Sequence, residues 1–323
     1  MPLRSAPLPR MAGHLTFMRA QTKQIRDVRS GDMAVLGIPI EDTSAPYAGQ
    51  SLAPRALRET SVYFGWHANP QFSHPVDIDA RQDIQTDGLH ERLCDLGDIS
   101  KGPEEAIHTA LKSAISEIHR NGACGVILGG SDCLSDSVQS ALPNCQIAQL
   151  GGTPRHARDF HVAPLANGVG EACSLDTTAQ LATFSQWRDV SKPLYVRFDL
   201  SVFETSLSAL CDRPRLGGLD LDTVLQWLSV LGQHQVSAIM LTGLNPSRPG
   251  MGVVKVGQRL MVTALLAFIY ARLGFGIDQP GRLTSKENIP AWSLTVVAAG
   301  FCGLLPLDKA ALVLAKKEGV VSI

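Results

Sequence analysis

Charge of one sign is what this 323-residue sequence most plainly lacks: 29 Lys and Arg stand against 30 Asp and Glu, a formal net charge of −1 at pH 7. Without a cationic excess there is no long-range field to gather nucleic acid or an anionic membrane, and neither is expected as a partner. Cysteine is scarce, seven residues in an odd count with no Cys-x-x-Cys pair. That disfavours a disulfide framework, thioredoxin-like redox chemistry and a zinc ribbon, so the thiols read as buried and inert and the compartment as cytoplasmic. No apolar run reaches the ~20 residues of a spanning helix. The two longest, 260–271 (LMVTALLAFIYA) and 294–305 (LTVVAAGFCGLL), read as core helices. Neither G-x-x-x-x-G-K-[ST] nor G-x-G-x-x-G follows an apolar run, which removes the common nucleotide cradles. No internal repeat or low-complexity linker divides the chain.

What is present is 45% apolar residues in short runs bounded by Gly or Pro. Runs at 33–38, 125–129, 146–150, 194–199 and 236–241 read as buried strands. The segments between them have helical spacing, which is the pattern of a parallel sheet covered on both faces. After Pro103, the residues Ile107, Leu111, Ile115 and Ile118 line one helical stripe that Asn121-Gly122 closes. Segments 54–64, 220–234 and 258–273 are expected to be helical, the second with Asp220 or Asp222 near its start. Residues 1–32 hold Arg4, Arg10, Arg19, Lys23, Arg26 and Arg29 and few acids. They lack a secretory apolar core and read as an N-terminal arm, with a mitochondrial targeting segment as the other reading. The expected division is an arm over 1–32, an α/β domain over 33–275 and a C-terminal helical extension over 276–323.

In sheets of this kind ligands sit beyond the carboxyl ends of the strands. Four such ends are informative: Gly37-Ile38-Pro39-Ile40-Glu41-Asp42, Gly129-Gly130-Ser131-Asp132-Cys133, Leu150-Gly151-Gly152-Thr153-Pro154 and Phe198-Asp199-Leu200-Ser201. With GIPIEDTSAPYAGQSLAPRALRE (37–59), CDLGDI (94–99), LYVRFDLSVFE (194–204), LGGLD (216–220) and LNP (244–246), their order resembles the ureohydrolase family of arginases and agmatinases, over residues 33 to 274. The resemblance implies a three-layer αβα fold with a mostly parallel sheet of about eight strands, assembled as a homo-oligomer, trimer or hexamer. It also implies hydrolysis of a guanidinium or amidine C–N bond by hydroxide held between two manganese ions.

Several positions depart from the family pattern. The metal-ligand positions at the third strand end are Leu150, Gly152 and Pro154. The Asp-His pair after Gly-Gly becomes Ser131 and Asp132, the last ligand pair becomes Asp199 and Ser201, and the substrate-clamping Glu falls near Gly243. Only Asp132 and Asp199 remain as remnant metal positions, too few anionic oxygens for two divalent cations. Binuclear manganese is not expected, and no cofactor, or at most a single divalent metal, is. Asp132 and Asp199 each have a second reading, as caps of the segments that follow them. His161 lies near the family's proton-shuttle His. His156, Asp159 and His161 (H-x-x-D-x-H) have ligand spacing for one zinc-like ion, whereas Arg155, His156 and Arg158 make a basic loop suited to an anionic ligand. Cys133, at the start of the helix expected over 134–142, has a second reading as a nucleophile at a helix N-terminus, where thiolate is favoured. The expected function is a catalytically inactive homologue acting as a ligand-binding or regulatory subunit, alone or with an active paralogue. The alternative is a metal-dependent hydrolase of a guanidino or amidine compound using a rebuilt site.

Overall fold

A computed structural model describes residues 15–43, 45–62, 64, 76–77, 82–83, 89–100, 102–153, 159–162, 177–204, 207, 211, 218–248 and 256–274. In chain order the strands are β1 (Gln21–Thr22), β2 (Met33–Ile38), β3 (Val76–Asp77), β4 (Gln82–Asp83), β5 (Leu93–Asp98), β6 (Cys124–Gly129), β7 (Gln146–Leu150), β8 (Phe160–Val162), β9 (Leu194–Asp199) and β10 (Val236–Thr242). The helices are α1 (Ala53–Ser61), α2 (Leu89–Arg92), α3 (Glu104–Arg120), α4 (Ser135–Ala141), α5 (Thr177–Trp187), α6 (Leu221–Gln233) and α7 (Val256–Leu273). Eight strands form one parallel sheet in the order β1-β5-β2-β6-β10-β9-β7-β8, and β3 and β4 pair apart from it. The order doubles back on itself from the centre, which places helices on both faces.

The two faces bury separate cores because a strand side chain alternates sides. On one, Val126, Leu128, Val196, Phe198, Ile239 and Leu241 pack against α6 and α7. On the other, Leu36, Ile127, Met240, Ile147 and Tyr195 meet the apolar stripe of α3 and the inner side of α4. The expected helix after Pro103 forms at Glu104–Arg120, and Asp220 caps α6 by accepting a 2.7 Å bond from the Thr223 N–H. The apolar run at 260–271 lies within an 18-residue helix, long and apolar enough to cross a membrane, but 78% of it is buried. Its neighbours are α6 and α1. At the β8 edge, Phe160, Phe184, Trp187 and Trp227 stack with ring centroids 5.1 to 5.9 Å apart and fix α5 against the sheet.

Two expectations need correction. The arm over 1–32 is part of the fold from Phe17 onward: Phe17 and Met18 are fully buried, and β1 pairs with β5. What holds this segment is the Phe17 N–H, which donates to Asp95 Oδ2 at 2.7 Å; hydropathy alone would not reveal it. The segment holding Asp159 and His161 is not simply a loop either, since Phe160–Val162 pairs with β7 as the edge strand β8. The extension over 276–323 lies outside the described residues, as does 294–305 within it.

Candidate functional site

Five strand ends converge on one small cavity of about 70 Å³ lined by Asp42, Ser131, Asp132, Gly152, Asp199 and Gly243, among others. The parallel sheet brings Asp132, just beyond β6, and Asp199, the last residue of β9, to the same mouth, although 67 positions separate them. Glycines permit this closeness. A Cβ on Gly130 would lie 2.3 Å from the Gln50 carbonyl oxygen, and one on Gly243, at φ +82°, would lie 2.7 Å from Asp199 Oδ1. The bare backbone at 243 therefore makes room for the Asp199 carboxylate.

Both oxygens of that carboxylate accept hydrogen bonds from the protein. The Ser201 N–H donates to Oδ1 at 2.9 Å and the Thr242 hydroxyl to Oδ2 at 2.7 Å, so Asp199 caps the 3₁₀ turn Leu200–Val202 as its second reading holds. The Ser201 hydroxyl accepts from the Gly152 N–H at 2.9 Å, tying the β9 and β7 ends together. Asp132 is not a helix cap. Helix α4 begins at Ser135 without a side-chain cap, and the Asp132 carboxylate takes a 3.3 Å salt bridge from Arg197 Nη2.

Arg197 is the central residue that sequence reasoning missed. It sits inside the apolar run of β9, 7% exposed, and its Nη1 donates to Gln149 Oε1 at 2.9 Å. Gln149 in turn donates to the carbonyls of Gly151 and Thr153 at 2.8 and 2.9 Å. One guanidinium thus links Asp132 to the turn formed by Gly151 and Gly152, whose φ angles are +71° and +67°. Strand register places Leu36, Ile127, Met240, Arg197, Gln149 and His161 in one row across the sheet. The row changes from apolar to polar between β10 and β9, and this change is the available sequence signal: a strand-interior Arg and Gln facing one side.

Opposite, Glu41 anchors the loop that closes the cavity. Its carboxylate accepts from the N–H groups of Gly49, Gln50 and Ser51 at 3.0 to 3.1 Å and from the Ser51 hydroxyl. Burial pushes its pKa up, but the Ser51 hydroxyl and the three backbone donors outweigh this and hold it below the usual glutamate value. Gln50, fixed by that loop, accepts from the Asp42 N–H at 3.3 Å.

The other expected site residues are dispersed. His161 is on β8, two strands from β9, and is not among the residues lining the cavity. Asp159 lines a separate groove of about 910 Å³ with Gln146, Ile147 and Pro193, at the amino ends of β7 and β9. Because parallel strands put their two ends on opposite sides of the sheet, the H-x-x-D-x-H pattern cannot bring Asp159 to Asp132 and Asp199. Pro154, Arg155, His156 and Arg158 lie outside the described residues. Cys133 is exposed, but partial burial of its thiol, with Asp42, Asp132 and Glu104 nearby, raises its pKa despite the contact with Ser131, the reverse of an activated nucleophile. Burial pushes Cys94 to about 11 and Cys124 to about 12, consistent with inert thiols.

The arginase family model matches residues 31–146. Over those residues the chain is similar to the arginase family. Its fold is similar to that of proclavaminate amidino hydrolase from Streptomyces clavuligerus, with a TM-score of 0.60 at 19% identity over 82% of this chain and 99% of that one. Formimidoylglutamase from Bacillus subtilis gives 0.60 at 15% over 84% and 96%. Trypanosoma cruzi formiminoglutamase, solved with Mn2+, gives 0.59 at 18% over 80% and 96%. The sequence match ends at Gln146, well short of the expected 274; beyond it the likeness is one of fold alone. The match therefore stops before Leu150, Gly152 and Ser201. Among the described residues no group of three or more His, Cys, Asp or Glu could hold a metal ion.

Proposed function

We propose that this protein is a non-catalytic ureohydrolase homologue: it keeps the scaffold and its cavity but uses them for ligand binding or for regulating an active partner. The observation that carries the reading is how the carboxylates at the sheet's mouth are employed. Asp199 accepts from Ser201 and Thr242, and Asp132 is paired with Arg197, so both already answer to donors of the protein itself. Drawing them onto two divalent cations would break those bonds and set four positive charges beside a buried guanidinium. The uncompensated desolvation would cost several kcal/mol per ion. The protein would act in the cytoplasm, as a homo-oligomeric trimer or hexamer or together with an active paralogue.

Metal analysis on the purified protein tests this, joined to urea and ammonia release from agmatine, arginine and guanidino and formimino acids. The expected result is below a tenth of an equivalent of manganese, zinc, nickel or iron per chain, with no release. Two equivalents of manganese with turnover would establish the hydrolase alternative in its place.

A further inference from the structure

We propose that Arg197 is a built-in cation of this cavity, supplying to Asp132 the positive charge that a bound metal would otherwise supply and so keeping divalent ions out. The inference deepens the reading above and rests on the cavity being a former metal site. Three carboxylates, Asp42, Asp132 and Asp199, line it. Carboxylates sharing one cavity of about 70 Å³ repel one another, and nearby donors or a cation offset that repulsion.

The structure provides these in two ways. Asp199 is satisfied by neutral donors, the Ser201 N–H and the Thr242 hydroxyl. Asp132 instead receives a full charge from a guanidinium that is buried in the sheet interior and cannot be deprotonated. Gln149 holds that guanidinium by its other nitrogen, so it is aimed by the sheet and is not a surface side chain that can swing away. A fixed positive charge next to Asp132 lowers the affinity of that carboxylate for a second cation by direct repulsion.

The test is divalent-ion binding with manganese chloride alone, followed by electron paramagnetic resonance of free Mn2+ and by the melting temperature. Wild type should bind no Mn2+ at submillimolar concentration and show no thermal shift. Arg197→Met, which keeps the side-chain volume and removes the charge, should melt lower, bind Mn2+ at least tenfold more tightly than wild type and regain part of its melting temperature on adding it. Arg197→Lys should behave as wild type toward Mn2+. The double variant Arg197→Met with Asp132→Asn removes both charges and should again ignore Mn2+, which keeps the inference testable should the single variant fold poorly. Equal Mn2+ response in wild type and Arg197→Met, or an undiminished response in the double variant, would overturn it. The reading of the whole protein fails differently, by wild type itself binding paired manganese and turning over substrate.

Discussion

Two arginine–aspartate pairs stand on the same sheet, and they are built differently. In the β5 half, Arg58 reaches from α1 to both oxygens of Asp95 at 2.8 and 2.9 Å, to Asp98 at 2.5 Å and to the Gly97 carbonyl at 2.9 Å. The Asp95 side chain is 1% exposed and also accepts from the N–H groups of Phe17 and Gly97. In the β9 half, Arg197 makes one 3.3 Å contact with an Asp132 side chain that is 36% exposed. The first pair closes the fold, since it joins a helix, a strand and the N-terminal segment with bidentate geometry. The second borders a cavity and spends its other hydrogen bond on Gln149. Burial and number of partners separate a structural joint from a charge that tunes a site.

The comparison can be broken by removing one partner from each side. Asp95→Ala should cost about 3–5 kcal/mol, because it strips the buried Arg58 guanidinium of its bidentate partner and leaves the Phe17 N–H without its acceptor; urea unfolding with an unchanged m-value is the measurement. Arg197→Met should cost far less, about 1–2 kcal/mol, as Asp132 retains access to water. Equal losses at the two sites would erase the distinction.

Smaller effects sharpen it. Glu41→Gln should cost about 1 kcal/mol at neutral pH by weakening the charged acceptor of the 49–51 N–H groups. The Glu41 pKa is lowered on folding, so its contribution is complete above the unfolded glutamate value and is lost as pH falls through the folded one. Wild-type and Glu41→Gln stabilities should therefore converge in acid. The smallest effect concerns His234, edge-on to Phe184 at 5.2 Å, whose pKa is lowered by burial and by Arg188. The unfolded chain takes up the proton more readily, so this group removes stability as pH falls through about 6.5. His234→Gln should flatten that part of the pH–stability curve; an unchanged slope would assign it elsewhere.

Much of the scaffold was readable from local pattern. The runs at 146–150 and 194–199 became strands with those bounds, and the stripe after Pro103 became α3. The two-residue β1 and three-residue β8 were not readable, because strands this short carry no periodicity and exist by pairing with β5 and β7. Within the site, Asp132 and Asp199 were named from their strand ends and do share a cavity. Arg197, Gln149 and Thr242 were not named, and Glu41 was named only as part of a strand end. Each is a polar residue whose role depends on a partner distant in sequence, as Arg197 depends on Asp132 at a separation of 65 residues.

The sequence by itself determined the alternation of buried strands and amphipathic helices, and which residue types stand at each strand end, because periodicity and composition are local properties. Only the tertiary structure decided what those residues do. A carboxylate becomes a cap, a salt-bridge partner or a metal ligand according to the donors that folding sets within hydrogen-bond reach. Here those donors are Ser201, Thr242 and a buried arginine.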